Sequence, residues 1–206
     1  MPTRTDGTSV LGPSGAHRPM AAVHVLIPTH TTRHLEACLA AMACQESAPD
    51  SVVVTCDVED GGVPGLVDRV WPVVRGAIAR RSGKTPPTLR LVMRQHAGEA
   101  RLNQVRNNGL RALIESGAAE RDLVVVIDGD MVLAPGAIAS HRAFASAGAD
   151  VIVPFRVNLS EEQTARVSAG AFLVEPPSWP EELTLSAESR GALARRDRRY
   201  RRQLMT

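Results

Sequence analysis

Five short aliphatic runs constrain this chain more than any other feature: 21–27 (AAVHVLI), 51–56 (SVVVTC), 88–93 (TLRLVM), 122–127 (DLVVVI) and 149–154 (ADVIVP). The Val-rich runs are continuous rather than alternating in polarity, which is the pattern of strands buried on both faces of a parallel sheet. The intervals between them are too long for hairpins and long enough for a crossover helix. Residues Thr32 to Cys44 place Leu35, Leu39 and Met42 on one side, with Thr31 or Thr32 as cap candidates. Pro64 to Arg81 repeats the period, and Pro72 inside it should kink or split the helix. Glu99 to Ser116 is the clearest helix, stopped by Gly117, and Pro135 opens another that runs to Ala147. Strands alternating with helices in this way predict an α/β fold, a doubly wound and mostly parallel sheet with right-handed crossovers.

With 206 residues the chain is long enough for one domain with a sizeable core. Aromatic residues make up only 3%, so that core must be built from Val, Leu, Ile and Ala. Residues 1–20 are rich in Pro, Gly, Ser and Thr and read as a disordered tail. They lack the apolar stretch of a signal peptide, and no run approaches the roughly 20 apolar residues needed to span a bilayer. A cytoplasmic protein is therefore expected. Residues 21–155 form the α/β domain, and 156–206 a connector ending in a basic helix. Between Arg190 and Arg202 stand seven arginines against one acid, Asp197. Such a tail suits a solvated helix face or peripheral contact with an anionic inner membrane face. It offers one aromatic, Tyr200, and no nucleic-acid motif. Cys38, Cys44 and Cys56 have no metal-ligand spacing and read as small buried hydrophobes.

The run at 122–127 ends in Asp128-Gly129-Asp130. In open α/β sheets ligands bind beyond the carboxyl ends of the strands. Asp57 holds that position for the second run and Pro28-Thr29-His30 for the first. Gly129 would let the backbone turn so that the two acids serve one site. Adjacent carboxylates repel unless a cation compensates, and oxygen ligands of this kind favour Mg²⁺ or Mn²⁺. A polar Asp-Gly turn is the plainer alternative. On the third helix Leu102, Val105, Gly109 and Leu113 share one face, with Arg106 inside the same apolar arc. A guanidinium on the sheet side needs a partner.

Taken in order, these stretches resemble the nucleotide-sugar half of an inverting GT-A glycosyltransferase of the family 2 type. "VHVLIPTHTTRHLEACLAAM" resembles its opening strand, proline turn and helix; "SVVVTCDVEDG" its second strand with a following acid; "QVRNNGLRAL" its Arg-Asn-x-Gly-Leu helix; and "VVVIDGDMVLAPGAI" its DxD strand and Pro-led helix. The likeness covers residues 22–155. It implies a GT-A-like fold and a nucleoside-diphosphate sugar as donor, transferred to a hydroxyl of a saccharide or lipid-linked acceptor. It further implies that Asp57 accepts a hydrogen bond from the base and Arg106 contacts the nucleotide. Asp128 would hold the ribose or a metal-bound water, Asp130 would ligate Mn²⁺ or Mg²⁺ at the diphosphate, and Pro28 and Thr29 would line the nucleotide pocket.

Some features depart from the family's pattern. One acid, Asp57, follows the second strand where the family commonly has two. The approach to Arg106 is longer than usual, so Arg101 or Asn103 would share its role. The Gly-Asn segment and Glu-Asp pair of the acceptor half do not follow residue 155, so the chain reads as a donor half without an identified catalytic base. Glu161-Glu162 and Glu181-Glu182 read as solvated acids. The alternatives are a non-catalytic nucleotide-sugar-binding or scaffold protein and a nucleotidyltransferase. The latter wants a Gly-rich loop where "IPTHTTRHLE" has no glycine. The G-x-G-x-x-G of a dinucleotide domain is absent. A sheet edge left open near the C-terminus would favour a homodimer.

Overall fold

The structure is a computed structural model that describes residues 21–57, 62–93, 99, 101–154, 156–184, 190–192 and 195. Four strands, β1 (Val23–Thr29), β2 (Ser51–Cys56), β3 (Thr88–Val92) and β4 (Leu123–Val126), form one parallel sheet in the order β3-β2-β1-β4. The helices are α1 (Leu35–Ala40), which continues as a 3₁₀ turn over Ala41–Cys44, α2 (Gly62–Ser82), α3 (Leu102–Glu115), α4 (Ala137–Ser146), α5 (Glu161–Arg166) and α6 (Ala169–Phe172). The chain builds outward from β1 to β3, then returns through α3 to the other side of β1. Right-handed crossovers therefore put α1 and α2 on one face and α3 on the other.

The core follows that division. Val23, Val25 and Ile27 of β1, with Val52, Val54 and Val125, pack with α1, α2 and Phe172. Leu26 and Val53 turn the other way and pack with Ala112 and Leu113 of α3. Successive residues alternate between faces, so a strand with apolar residues at every position is one covered on both sides. The aliphatic α/β domain expected from the runs is the one found.

Helix α3 meets the sheet through Gly109. A Cβ there would stand 2.2 Å from Leu26 Cδ1 and 2.7 Å from Thr55 Cγ2. Val105, Gly109 and Leu113 are buried as their shared face predicts, but Leu102 is 51% exposed. It is the first residue of the helix, beyond the reach of the sheet. Gly117 ends the helix with φ of 91°. Its N–H donates to the Ile114 carbonyl and that of Ala118 to Leu113, the bond pair that satisfies the last carbonyls of a helix.

Several local expectations change. Pro28 does not close the first strand; β1 runs through it to Thr29. Ile127 and Gly129 donate to the carbonyls of Leu26 and Pro28, so Pro28 faces β4, where its missing N–H deletes one rung beside the end of that strand. Helix α2 runs unbroken past Pro72. Neither Thr31 nor Thr32 caps α1: the cap residue is His34, without a side-chain bond. The run at 149–154 forms no strand, and Val151 and Val153 are exposed. β-branched residues favour a strand only when a neighbour supplies the ladder, and the backbone of this run is not paired with the outer edge of β4. Among the described residues no helix is long and apolar enough to cross a membrane. Cys38, Cys44 and Cys56 are buried, and none of them is in a disulfide.

The amino end of the sheet is sewn together by Asp122. Its carboxylate accepts the N–H groups of Ala22 (3.0 Å) and Ala119 (2.7 Å) and lies 3.2 Å from His24 Nε2, while His24 Nδ1 is 2.8 Å from Ser51 Oγ. Burial pushes the Asp122 carboxyl up, but the Ala119 N–H, the His24 ring and the Ala22 N–H outweigh it and hold its pKa below the ordinary value. A depressed folded pKa stabilises the fold above the unfolded value of about 4 and loses that contribution as pH falls through the folded value. Asp122→Asn should therefore unfold more easily by ~1–2 kcal/mol at pH 7. The gap should narrow as pH falls from about 4 through the lower folded value, below which the wild-type carboxyl is also neutral. Urea unfolding across that range measures it; a gap independent of pH would contradict the assignment.

Candidate functional site

The strand order reverses between β1 and β4, and it is there, at the carboxyl ends, that a doubly wound sheet opens a crevice. Asp57 follows β2 directly. Its N–H donates to the Thr29 carbonyl (2.9 Å), and its side chain, only 5% exposed, accepts the Arg101 N–H at 2.6 Å through Oδ2. Arg101 is the residue before α3. A carboxylate at that point meets the unsatisfied N–H groups and positive end of the helix. It is the Arg101 backbone that is engaged here, and both Arg101 and Asn103 are exposed.

Arg106 lies one turn further along α3. Its Nη2 donates to Asp128 Oδ1 at 3.1 Å. This is the partner that the apolar arc of the helix required. The two side chains are 38% and 44% exposed, so the pair contributes little to stability, roughly 0.2–1 kcal/mol. The guanidinium Nε is shielded from water and has no acceptor among the described residues. An unsatisfied N–H of this kind is unfavourable, and local rules are broken in this way mostly where a side chain is held for function. By the alternation of strands, Pro28, Thr55, Asp57 and Asp128 project to the α3 side of the sheet end. Together with Arg106 they form one ledge.

Gly129 sits against Thr29. A Cβ on it would come within 2.7 Å of Thr29 Oγ1 and 2.9 Å of Thr29 Cβ. Its φ is not positive, so glycine is required here for close approach and not to turn the backbone. The contact lets Gly129 N–H reach the Pro28 carbonyl at 3.1 Å and keeps the acid loop in line with β1. Thr29 itself is buried, with its hydroxyl donating to the Thr31 carbonyl at 2.7 Å.

Asp130 is exposed and forms no hydrogen bond or ion pair among the described residues. It lines a cleft of about 700 Å³ that runs along β4, together with His34, Ile127, Leu133, Ile152, Trp179 and Leu183. Both acids act on one buried point: the Cys38 thiol on α1 is pushed up to about 12, first by burial and then by the charges of Asp130 and Asp128. That thiol stays protonated at neutral pH and is no nucleophile.

The donor set fits a hard cation. Among the described residues no three His, Cys, Asp or Glu side chains gather as a metal cage. A cation that keeps its waters and is shared between one or two carboxylates and a phosphate needs no cage. Among the described residues Asp130 is unengaged, and Asp128 gives Arg106 one of its two oxygens. Of the acid pairs after residue 155, Glu161 and Glu162 are exposed in the first turn of α5, and Glu162 pairs with Arg166. Glu181 is exposed as well, while the Glu182 side chain and most of the basic tail lie outside the described residues.

One residue escaped the sequence reading. Gln45 is fully buried and makes three hydrogen bonds to the loop behind Asp130. Its only signal is a lone amide closing the apolar stretch Ala37–Cys44. Compared with known proteins, residues 19–201 match the family model described as "Glycosyltransferase like family 2". No curated protein matches the chain.

Proposed function

Because the chain belongs to the glycosyltransferase family 2-like proteins, with residues 19–201 spanning the match, we propose that the ledge and the acid loop bind a nucleoside-diphosphate sugar for transfer to an acceptor hydroxyl. The observation that carries this reading is the Arg106–Asp128 pair standing beside an unengaged Asp130 at the point where strand order reverses. Asp57, anchored to the start of α3, borders the nucleoside end of the ledge together with Pro28, while Thr29, buried on the other side of the strand, shapes it through its contact with Gly129. Arg106 supplies a fixed cation on the nucleotide side and orients Asp128 toward the ribose. Asp130, with Asp128 beside it, would hold Mn²⁺ or Mg²⁺. When bound, such a cation stabilises negative charge on a leaving diphosphate. The acceptor, a saccharide or a lipid-linked sugar, would approach from the cleft along β4.

The reading is tested by calorimetric titration of the chain with UDP and GDP, with and without Mn²⁺. Binding should strengthen with the metal. Arg106→Ala should weaken nucleotide binding about tenfold, the loss of one charge-assisted contact of ~1.5 kcal/mol, and shift the unfolding free energy by less than about 1 kcal/mol. Absent or metal-independent nucleotide binding by a folded chain would overturn the proposal.

A further inference from the structure

Gln45 stands at the end of the 3₁₀ turn that follows α1, and its side chain is 0% exposed. A buried primary amide has two N–H groups and a carbonyl to satisfy. Here all of them are spent on one segment. Nε2 donates to the carbonyls of Leu133 (2.8 Å) and Ala134 (3.0 Å), and Oε1 accepts the Ile138 N–H at 3.4 Å. The next residue joins in, since Glu46 N–H donates to the Pro135 carbonyl at 2.8 Å.

The segment needs this help. It leaves the sheet at Val126, carries Asp130, and enters α4 at Ala137. Pro135 has no N–H, and the residue before α4 is Gly136, which has no side chain with which to cap the helix. The Ile138 N–H is one of the unsatisfied groups at the helix start, and Gln45 caps it from outside. Leu133 is buried, so its carbonyl would lose water without gaining a partner. At the other end the loop is pinned by Gly129 N–H on the Pro28 carbonyl. Asp130 therefore sits between two anchors, β1 on one side and Gln45 on the other.

We infer that Gln45 is a positioning residue for the acid loop, and that through it the side chain sets the cation affinity of Asp130. This rests on the proposed role of Asp130 as the cation ligand. An apolar residue at position 45 would fill the same space but leave two carbonyls and a helix-start N–H without partners. The loop would then relax at the end nearer α4, and the carboxylate would be held at one point only. Outer partners of metal ligands typically change metal affinity 10–100-fold when removed.

The test compares the full chain with Gln45→Leu and with Leu113→Ala, a core truncation on the opposite face of the sheet. Mn²⁺ affinity in the presence of saturating UDP is followed by electron paramagnetic resonance, below the unfolding transition of all three proteins. Amide hydrogen exchange over 131–138 is followed in parallel. The expected result is an apparent Mn²⁺ dissociation constant raised about tenfold or more in Gln45→Leu, with faster exchange confined to that segment, and neither change in Leu113→Ala. A wild-type chain that binds Mn²⁺ while Gln45→Leu binds it equally well overturns the positioning role alone. Loss of affinity in Leu113→Ala to the same degree also overturns it, because a general loosening of the fold would then suffice. A wild-type chain that binds no Mn²⁺ overturns both this role and the reading of Asp130 on which it rests.

Discussion

Asp130→Ala is expected to reduce Mn²⁺-dependent binding of a nucleoside diphosphate by at least ~100-fold, because a metal–carboxylate contact of several kcal/mol disappears and each ~1.4 kcal/mol is a factor of ten. Stability should hardly change. The carboxylate is exposed and bonds to nothing among the described residues, and surface substitutions of that kind fall within roughly 0.5 kcal/mol. The pairing of a large loss in binding with an unmoved unfolding midpoint separates a ligand from a structural acid. Asp128→Ala should behave differently, since it also strands Arg106, and its effect should extend to nucleotide binding without metal. Titration calorimetry and thermal unfolding on the same samples decide the matter. Equal Mn²⁺ dependence in wild type and Asp130→Ala would remove the acid loop from the site.

Gly109→Val should unfold the protein more easily by ~3 kcal/mol or more, at the upper end of what overpacking costs. Helix propensity alone predicts the opposite, since replacing a mid-helix glycine removes a penalty of about 0.5–1 kcal/mol relative to alanine. The structure decides which effect wins. The first added carbon would stand 2.2 Å from Leu26 Cδ1 and 2.7 Å from Thr55 Cγ2. Leu26 and Thr55 are themselves buried, at 0% and 1% exposure, so neither has free space to move into. The helix must lift from the sheet, and Arg106, one turn away, would move with it. Chemical denaturation measures the loss. A variant as stable as wild type would mean that α3 does not approach the sheet at this glycine.

Much of the architecture was legible because it depends on local patterns. The continuous run at 51–56 became β2 with the same bounds, and 88–93 and 122–127 became β3 and β4 with slightly trimmed ends. Gly117 stopped α3 through a left-handed φ that a branched residue would resist. The run at 149–154 shows where this reasoning fails. Its composition favours a strand as strongly as the others, yet no ladder forms there. Strand propensity describes a residue's fit to a pleated surface and does not say whether the surface is present. Of the kink or split expected at Pro72, the split does not occur: the proline lies inside α2, whose buried face from Val63 to Ile78 holds the turns together.

The candidate site divides in the same way. That Arg106 needed a partner was evident from its place in an apolar arc, but the arc did not say which group would supply it. Asp128 is 22 residues away along the chain. Gly129 was legible as a special position but for a different reason, since the constraint comes from Thr29 on another strand. Gln45 lies 88 residues from Leu133, and no local signal marks an amide as the clasp of a distant loop.

By itself the sequence determined the alternation of parallel strands and helices, most of the buried faces of α1 and α3, and the placement of Asp57 and Asp128-Gly129-Asp130 at strand ends. Those features follow from the periods of 3.6 and 2 and from residues with restricted backbones, all of which act within a few positions. Only the tertiary structure decided that β4 returns beside β1, that Arg106 meets Asp128 while Asp130 stays unengaged, and that Gln45 ties down the loop between them. Such pairings depend on strand order and register, which join residues far apart in the chain through the packing of the whole sheet.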